Sequence, residues 1–326
     1  MRPKKQENLH KKKNNQKQDS EHGAQVKMHR DEIDINIALV KRLLAEQFPH
    51  LAARSITVVR STGTVNAIYR LGKELYARLP RRQEWAESIE NEWAWLPKLA
   101  AHTSLDIPEP LAKGKPTDWY PCPWAIYQWI EGFPYQDNLL SDERQVAHDL
   151  ANFVLELRKV PTLGAPRGGR RPLIELDRVT RFEIESSRDV IDSEAASAAW
   201  ARSLESPPWN GEPVWIHGDL LKSNLLVRDG RLCAVLDFGG VGVGDPAADV
   251  IPAWSIFTRA GRETFRQALE VDNDTWSRAR GYALHQALMI IPYYSKTNPE
   301  FVTMAKRTVK EILTDFQSHG AGGKFS

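Results

Sequence analysis

Two aspartates and one asparagine are grouped around a predicted hairpin in the segment HGDLLKSNLLVRDGRLCAVLDFGG. Asp219 and Asn224 come before the first apolar, β-prone run of this segment, and Asp237 follows the core of the second run. The runs are separated by Asp229 and Gly230, and an Asp-Gly pair in this position is a strong signal for a two-residue hairpin turn. The segment is therefore predicted to bring three oxygen-bearing side chains to one end of a hairpin.

The register of this hairpin determines which side chains are neighbours. Counting outward from the turn, we expect Asn224 to face Val235 and Lys222 to face Asp237. Asn224 and Asp237 then become diagonal neighbours on one face, about 7–8 Å apart at the backbone. That spacing suits one hard cation, because Mg²⁺ is held by oxygen ligands at about 2 Å. The alternative is that these residues only form turns at strand ends, where Asp and Asn are common.

The charge of the chain is unevenly distributed. The formal net charge of the 326 residues is +2, but residues 1–30 contain nine Lys or Arg and only three Asp or Glu, so the remainder is net acidic. Because this stretch has almost no apolar residues, we expect a disordered basic tail over 1–30, with Met28 as an alternative start. Its lysines could touch nucleic acid or anionic lipid, but a solvated tail is the favoured interpretation.

Membrane and secreted proteins are disfavoured by composition. No run approaches the roughly 20 apolar residues that cross a bilayer, and the N-terminal stretch lacks the apolar centre of a secretory signal. The two cysteines, Cys122 and Cys233, offer neither a disulfide framework nor a metal-binding spacing. We therefore expect a cytoplasmic protein with reduced thiols and no membrane partner.

The order of predicted elements places the hairpin in the second of two domains. An amphipathic helix with Ile35, Leu39 and Leu43 on one face comes first. Strands are then predicted in SITVVRST, AIYRLG, ELYARLP and WAIYQWIEG, with one helix, EWAESIENEWAWLPKLA, before the last of them. Beyond these strands the pattern is mostly helical on both sides of the hairpin. We predict an N-terminal domain over 31–131 and a C-terminal domain over 132–326.

Taken together, these motifs resemble the bacterial aminoglycoside phosphotransferase family, small-molecule kinases with a protein-kinase-like fold. The specific blocks are VWIHGDLLKSNLLV and VLDFGGVGVGDPAADV, while STGTVNAIYRL, YARLPRR, NEWAWLPKL and YQWIEG are weaker signals. The resemblance covers nearly all of residues 31–326. It implies an α+β, two-lobed fold, with a small β-rich N-lobe that binds nucleotide and a larger helical C-lobe that holds the catalytic loop and the substrate site.

The resemblance also implies roles for the hairpin residues. Asp219 would be the catalytic-loop aspartate that accepts or orients the proton of the substrate hydroxyl. Asn224 and Asp237 would hold Mg²⁺ that bridges the phosphates of ATP. His217 would fix the loop rather than act as a general base. These roles fit phosphoryl transfer, in which catalysis is mainly positioning and charge neutralisation.

In the N-lobe the resemblance implies a nucleotide site. RSTGTVNA would be the loop over the phosphates, YQWIEG the hinge that meets adenine, and Glu92 the helix glutamate that orients the phosphate-binding cation. That cation is Arg78, where the family more often has lysine; arginine binds phosphate with two donors, but its fork is larger. The implied nucleotide contacts are Ser61, Thr62, Gly63, Arg78, Glu92, Gln128, Trp129 and Ile130.

The spacing of later motifs disfavours a protein kinase. Only seven residues separate Asp237 from Asp245, which leaves no room for a long activation segment, and no A-P-E motif follows. Asp245 and Asp249 are interpreted as helix-start and packing residues rather than as metal ligands. The sequence predicts an ATP-dependent phosphotransferase that acts on a hydroxyl of a small molecule.

The identity of that small molecule stays open. Residues 151–326 contain equal numbers of acidic and basic residues, so no acidic excess favours a polycationic aminoglycoside over a macrolide, an amino alcohol or another metabolite. Alternatives from other classes are a nucleotide-binding pseudokinase and a nucleic-acid binder that uses the lysine tail. The first is disfavoured by the complete set of hairpin residues, and the second by the lack of a basic and aromatic surface motif. The sequence leaves the oligomeric state open.

Overall fold

The computed structural model describes residues 32–59 and 65–320. The predicted basic tail and the predicted phosphate loop, with Ser61, Thr62 and Gly63, lie outside these ranges.

The described residues form two compact units. The smaller contains the chain up to Trp93 together with Pro108–Ile130, and the larger contains Ala94–Ile107 and the chain from Glu131 onward. Ala94–Ile107, which was assigned to the N-terminal domain above, therefore packs with the larger unit. The predicted domain boundaries themselves stay a prediction.

The smaller unit is built on a five-stranded antiparallel sheet. Its elements are α1 (Ile37–Gln47), β1 (Ile56–Val59), β2 (Asn66–Leu71), β3 (Leu75–Pro80), α2 (Glu87–Ala100), β4 (Pro110–Gly114) and β5 (Trp124–Gln128), with short 3₁₀ turns at Pro49–Leu51 and Gln83–Trp85. The strand order is β1-β2-β3-β5-β4. The last turns of α2, from Ala94, belong to the larger unit. Apolar residues of α1 and of the sheet form one buried core with Tyr120 and Trp124.

The start of α1 differs from the prediction. The side-chain oxygen of Asn36 accepts a hydrogen bond from the Leu39 N–H at 3.0 Å, so Asn36 caps the helix. Ile35 is buried, but it lies before the cap and is not part of the helical stripe. The buried helical residues are Val40, Leu43 and Leu44.

The larger unit is mostly helical and includes two small antiparallel sheets. Its elements are β6 (Phe133–Pro134), α3 (Glu143–Arg158), α4 (Leu173–Ser186), α5 (Ser193–Leu204), β7 (Val214–Ile216), β8 (Leu225–Arg228), β9 (Arg231–Val235), β10 (Gly242–Gly244), α6 (Pro252–Ser255), α7 (Arg259–Ala268), α8 (Asn273–Tyr293) and α9 (Pro299–Gly320), with 3₁₀ turns at Asp137–Leu139, Lys222–Asn224 and Pro246–Val250. The sheets have the orders β6-β8-β9 and β10-β7. α8 packs against α4, α5 and α9 and is buried over most of its length. Within the described ranges, no helix has both the length and the apolar character needed to cross a membrane.

The predicted hairpin is formed by β8 and β9. Asp229 and Gly230 adopt φ values of 54° and 76°, the left-handed conformations that a two-residue turn of this kind requires. Next to the turn, Arg228 pairs with Arg231, as predicted.

Further from the turn, the predicted register is wrong. A β-bulge at Cys233 shifts the pairing by one residue, so Val235 pairs with Leu225 and not with Asn224. Asn224 ends a 3₁₀ turn, and Asp237 has a left-handed φ of 63°. Because neither residue continues a strand, the diagonal strand pairing predicted for Asn224 and Asp237 does not exist.

Strands β4, β6, β7 and β10 were not predicted. β4 has the sequence PLAKG, which is poor in strand-forming residues, and its pairing with β5 is interrupted by an irregularity. β7 and β10 are three residues long and depend on each other for their pairing. Such short strands are determined by tertiary contacts and not by local preference.

Candidate active site

The predicted catalytic loop connects β7 to the 3₁₀ turn Lys222–Asn224. Immediately after β7, Gly218 adopts a φ of 79°, a conformation that glycine reaches without steric cost. The N–H of Asp219 then donates to Nδ1 of His217 at 3.2 Å. The loop is therefore a tight turn in which His217 supports the backbone of Asp219.

Both ring nitrogens of His217 contact the backbone. Nδ1 accepts from Asp219, so Nε2 is the donor to the carbonyl oxygen of Leu236, at 3.0 Å. The ring is fully buried and meets Phe238 edge to face, with ring centroids 4.6 Å apart. Because both nitrogens of the ring are bonded to backbone groups, His217 supports the loop.

Asp249 holds the backbone of the same loop from another element. It lies in the 3₁₀ turn Pro246–Val250, and its two carboxylate oxygens accept from the N–H groups of His217 and Gly218 at 2.7 and 2.8 Å. The side chain is fully buried. Burial raises the pKa of Asp249, and His217 and the two backbone N–H groups oppose this rise. This contact was not predicted from the sequence; the available signal was a charged residue inside an apolar run, where it requires a partner.

Asn224, the first predicted metal ligand, directly contacts Asp219, the predicted catalytic aspartate. Its Nδ2 donates to the backbone oxygen of Asp219 at 2.9 Å and to the Oδ2 of Asp219 at 3.1 Å. This fixes the orientation of the amide, because the nitrogen side faces Asp219 and the carbonyl oxygen remains as a ligand for a cation.

Asp237, the second predicted ligand, lies in the strained left-handed region that Asp tolerates better than most residues. Within the described ranges, no group of three or more His, Cys, Asp or Glu is arranged to hold a metal ion. An amide oxygen and one carboxylate nevertheless fit Mg²⁺, which is commonly bound by one or two carboxylates together with substrate phosphates and water.

Asp219 itself is a half-buried carboxylate close to other charges. Burial raises its pKa, and the neighbouring Asp237 carboxylate raises it further. His217, Arg170 and the hydrogen bond from Asn224 act in the opposite direction. A carboxylate with a raised pKa accepts a proton more readily, so Asp219 is suited to general-base chemistry.

Asp245 has the structural role predicted for it. It caps the 3₁₀ turn that follows, accepting from the Ala247 N–H at 2.9 Å, and it also accepts from Nε of Arg278 at 2.9 Å. The helix-start prediction for Asp245 is confirmed.

In the smaller unit, Arg78 and Glu92 form a buried ion pair. Nη1 of Arg78, on β3, donates to Oε1 of Glu92, on α2, at 2.6 Å, and the side chains are 5% and 0% exposed. The Tyr127 hydroxyl donates to the other oxygen of Glu92 at 2.6 Å. Asn66, a diagonal neighbour on β2, accepts from Nε and Nη2 of Arg78 at 3.0 and 2.8 Å when its amide oxygen faces the guanidinium. The structure therefore brings together the predicted cation and its predicted glutamate.

The predicted hinge follows β5. The N–H groups of Gln128 and Trp129 donate to the carbonyl oxygens of Glu109 and Glu74, at 3.0 and 2.6 Å. Neither group can donate to a nucleotide base without losing these bonds. Of the three N–H groups in the predicted hinge, that of Ile130 is therefore the one left to donate to adenine, and the backbone contact with adenine stays a prediction.

Comparison with known proteins gives one family match. Residues 57–282 match the family described as "Phosphotransferase enzyme family". The aminoglycoside 3'-phosphotransferase of Escherichia coli is 26% identical over 208 residues, which cover 58% of this chain and 72% of the relative. The uncharacterized protein YcbJ of Bacillus subtilis (strain 168) is 25% identical over 201 residues, which cover 55% of this chain. The aligned part spans 62% of that relative, less than two thirds of its length.

Solved structures share the fold at low sequence identity. The GDP and kanamycin complex of APH(2")-IIia matches with a TM-score of 0.67 and 19% identity, covering 85% of this chain and 99% of that chain. Macrolide 2'-phosphotransferase type I matches with a TM-score of 0.59 and 19% identity, covering 83% and 96% of the two chains. The predicted fold class, an α+β kinase-like fold with a β-rich N-lobe and a larger helical C-lobe, is confirmed.

Proposed function

We propose, from the premise that this chain belongs to the phosphotransferase enzyme family, that it transfers the γ-phosphate of ATP to a hydroxyl group of a small molecule. The main support is the catalytic loop, where Asn224 donates to the carboxylate of Asp219 and Asp237 is close enough to raise its pKa. This combination supplies an oriented proton acceptor next to two oxygen ligands.

In the proposed reaction, Asp219 orients the acceptor hydroxyl and receives its proton. A bond forms between the acceptor oxygen and the γ-phosphorus while the bond from that phosphorus to the β–γ bridging oxygen breaks, and its electron pair stays on ADP. Because the transition state is loose, the residues of the loop contribute mainly by positioning. His217 and Asp249 contribute indirectly, since they hold the backbone that carries Asp219.

Asn224 and Asp237 would hold Mg²⁺, through one amide oxygen and one carboxylate. When bound, the ion neutralises charge on the phosphates. Asn224 directly precedes β8, and Asp237 follows shortly after β9. The hairpin therefore places both proposed ligands at one of its ends.

For the nucleotide, we propose Arg78 as the phosphate-binding cation, oriented by Glu92. Its support is the buried ion pair, which holds the guanidinium in one orientation. The proposed loop over the phosphates, with Ser61, Thr62 and Gly63, lies outside the described residues.

The acceptor is proposed only as a hydroxyl-bearing small molecule. Two of the similar proteins are named as an aminoglycoside phosphotransferase and a macrolide phosphotransferase, and an amino alcohol or another metabolite is an equal candidate. A nucleotide-binding pseudokinase is the alternative from another class. The sequence feature that favours a pseudokinase is arginine at position 78. The buried ion pair with Glu92 argues against it, because the pair holds the guanidinium in one orientation.

The test is ADP release by the purified full-length chain with ATP or GTP, Mg²⁺ and a panel of aminoglycosides, macrolides and amino alcohols. We expect at least one acceptor to stimulate ADP release and to gain the mass of a phosphoryl group. Nucleotide binding without transfer to any acceptor, or to water, would instead identify a pseudokinase.

Metal dependence tests the ligand pair separately. Asp237→Ala should remove Mg²⁺-dependent ATP binding, measured by calorimetry, while the protein stays folded. Asp229→Ala is a matched control, because Asp229 also has a left-handed backbone but lies in the hairpin turn. Normal MgATP binding by Asp237→Ala would exclude Asp237 as a ligand.

A further inference from the structure

The segment between α3 and α4 is attached to the strand pair that leads into the catalytic loop. The N–H of Gly168 donates to the carbonyl oxygen of Val243 at 3.0 Å, and the N–H of Val243 donates to that of Pro166 at 2.8 Å. Arg167 and Val243 thus form an isolated parallel bridge. The loop is therefore fixed onto β10, which pairs with β7.

Three glycines make this attachment close. A Cβ on Gly168 would lie 2.7 Å from the Cα of Gly242, and the reverse contact, from Gly242 to the nitrogen of Gly168, would be 2.6 Å. Gly169 has a φ of 84°, and a Cβ there would lie 2.6 Å from Cδ1 of Ile216, the last residue of β7. Side chains at these positions would push the segment between α3 and α4 away from the catalytic loop. The glycines therefore bring the next residue, Arg170, beside it.

Two acidic side chains lie close to Arg170. Burial lowers its pKa, and the Asp219 and Asp249 carboxylates oppose this fall. The Nε of Arg170 is buried and donates to no atom of the described residues. A half-buried guanidinium next to the catalytic aspartate, with a donor unused, is chemically suited to an anionic ligand with several oxygen acceptors.

We propose that Arg170 is a further catalytic residue, whose guanidinium contacts the phosphoryl group as it passes to the acceptor oxygen. This rests on the proposed function. Arg170 neither gains nor loses a proton in the step; it donates hydrogen bonds to the non-bridging oxygens, where negative charge is spread in the transition state. Asp219 receives the proton, as described above.

The experiment compares Arg170→Ala, Arg170→Lys and the matched control Arg171→Ala, at a neighbouring exposed arginine, in the full-length chain. Turnover and KM for MgATP are measured with the best acceptor, and melting temperature reports on folding. We expect kcat of Arg170→Ala to fall by about 10²–10³-fold, the usual loss for one transition-state donor. KM for MgATP should change much less, Arg170→Lys should retain part of the activity, and Arg171→Ala should behave as wild type.

Chemical rescue separates this role from packing of the loop. Guanidinium ion at non-denaturing concentration should restore part of the turnover of Arg170→Ala and have no such effect on the wild type. Wild-type turnover by Arg170→Ala would overturn the proposal, and so would a loss that neither lysine nor guanidinium restores. A wild type that transfers phosphate to nothing overturns the proposed function as well, so the two failures are distinguishable.

Discussion

The charged groups of the two units are arranged in opposite ways. In the smaller unit, the guanidinium of Arg78 meets the carboxylate of Glu92 at 2.6 Å inside a buried network. In the larger unit, the carboxylate of Asp219 lies near a second carboxylate, Asp237, and burial and this neighbour both raise its pKa. One region pairs opposite charges, while the other brings like charges together.

The difference indicates what each region contributes. A buried ion pair that loses one partner leaves an uncompensated charge, so the smaller unit depends on both partners to stay folded. Like charges held together destabilise the fold until a cation or a proton joins them. An acidic pair of this kind is suited to binding a cation.

The largest expected effect, on activity alone, is that of Asp219→Asn. The substitution keeps the shape of the side chain and removes the proton acceptor, so turnover should fall by about 10²–10⁴-fold. MgATP affinity should be nearly unchanged, because Asp219 is not needed as a metal ligand. The unfolding free energy of the metal-free variant at neutral pH should not fall, since one of two like charges is removed. Normal turnover would show that Asp219 is not catalytic.

Arg78→Ala should have the opposite signature, a large loss of stability. Removing one partner of a buried pair typically costs about 3–5 kcal/mol of unfolding free energy, measured by urea denaturation, and ATP binding should weaken with it. Arg78→Lys should retain part of both. The control is Arg54→Ala, which breaks an ion pair with Glu74 whose side chains are 34% and 75% exposed; its cost should be about 1 kcal/mol or less. Equal stabilities of the Arg78→Ala and Arg54→Ala variants would contradict the structural role of Arg78.

The third prediction concerns pH and the larger unit. Nδ1 of His285 contacts Oγ1 of Thr180 at 2.9 Å, and that hydroxyl donates to the carbonyl oxygen of Leu176, so the imidazole donates to Thr180. Burial, together with Arg170 and Arg171, lowers the pKa of His285 to about 4.

Because the folded pKa lies below the unfolded value of about 6.5, His285 contributes stability above pH 6.5 that is lost as the pH falls toward 4. The full loss is at most about 3 kcal/mol. His285→Gln removes this titration, so the difference in unfolding free energy between wild type and variant should shrink across this window. A difference that stays constant with pH would exclude His285 as the titrating group.

Local signals in the sequence predicted part of this site. The Asp229-Gly230 turn is encoded by adjacent residues, and the catalytic loop, with Asp219 and Asn224, is also contiguous. The bulge at Cys233 is not local. The carbonyl oxygen of Cys233 accepts from the N–H of Asp106 at 3.0 Å, and a contact from a residue so distant in sequence has no signature in the hairpin itself.

The same reasoning explains which site residues were missed. Asp249 reaches Gly218 of the catalytic loop from 31 residues away, and Arg170 reaches the loop through the contact between Gly168 and Gly242. Neither position, taken alone, indicates Asp219 as its neighbour. Only the tertiary fold reveals that they surround Asp219.

The two hydrogen bonds that Asp249 accepts make the catalytic loop observable by spectroscopy. Amide protons that donate to a buried carboxylate form short, charge-assisted bonds, so those of His217 and Gly218 should resonate far downfield and exchange slowly with deuterium. Such protons exchange only when the loop opens. Their exchange rates, measured with and without nucleotide, would give the free energy of opening at the residue pair next to Asp219, with no substitution in the protein.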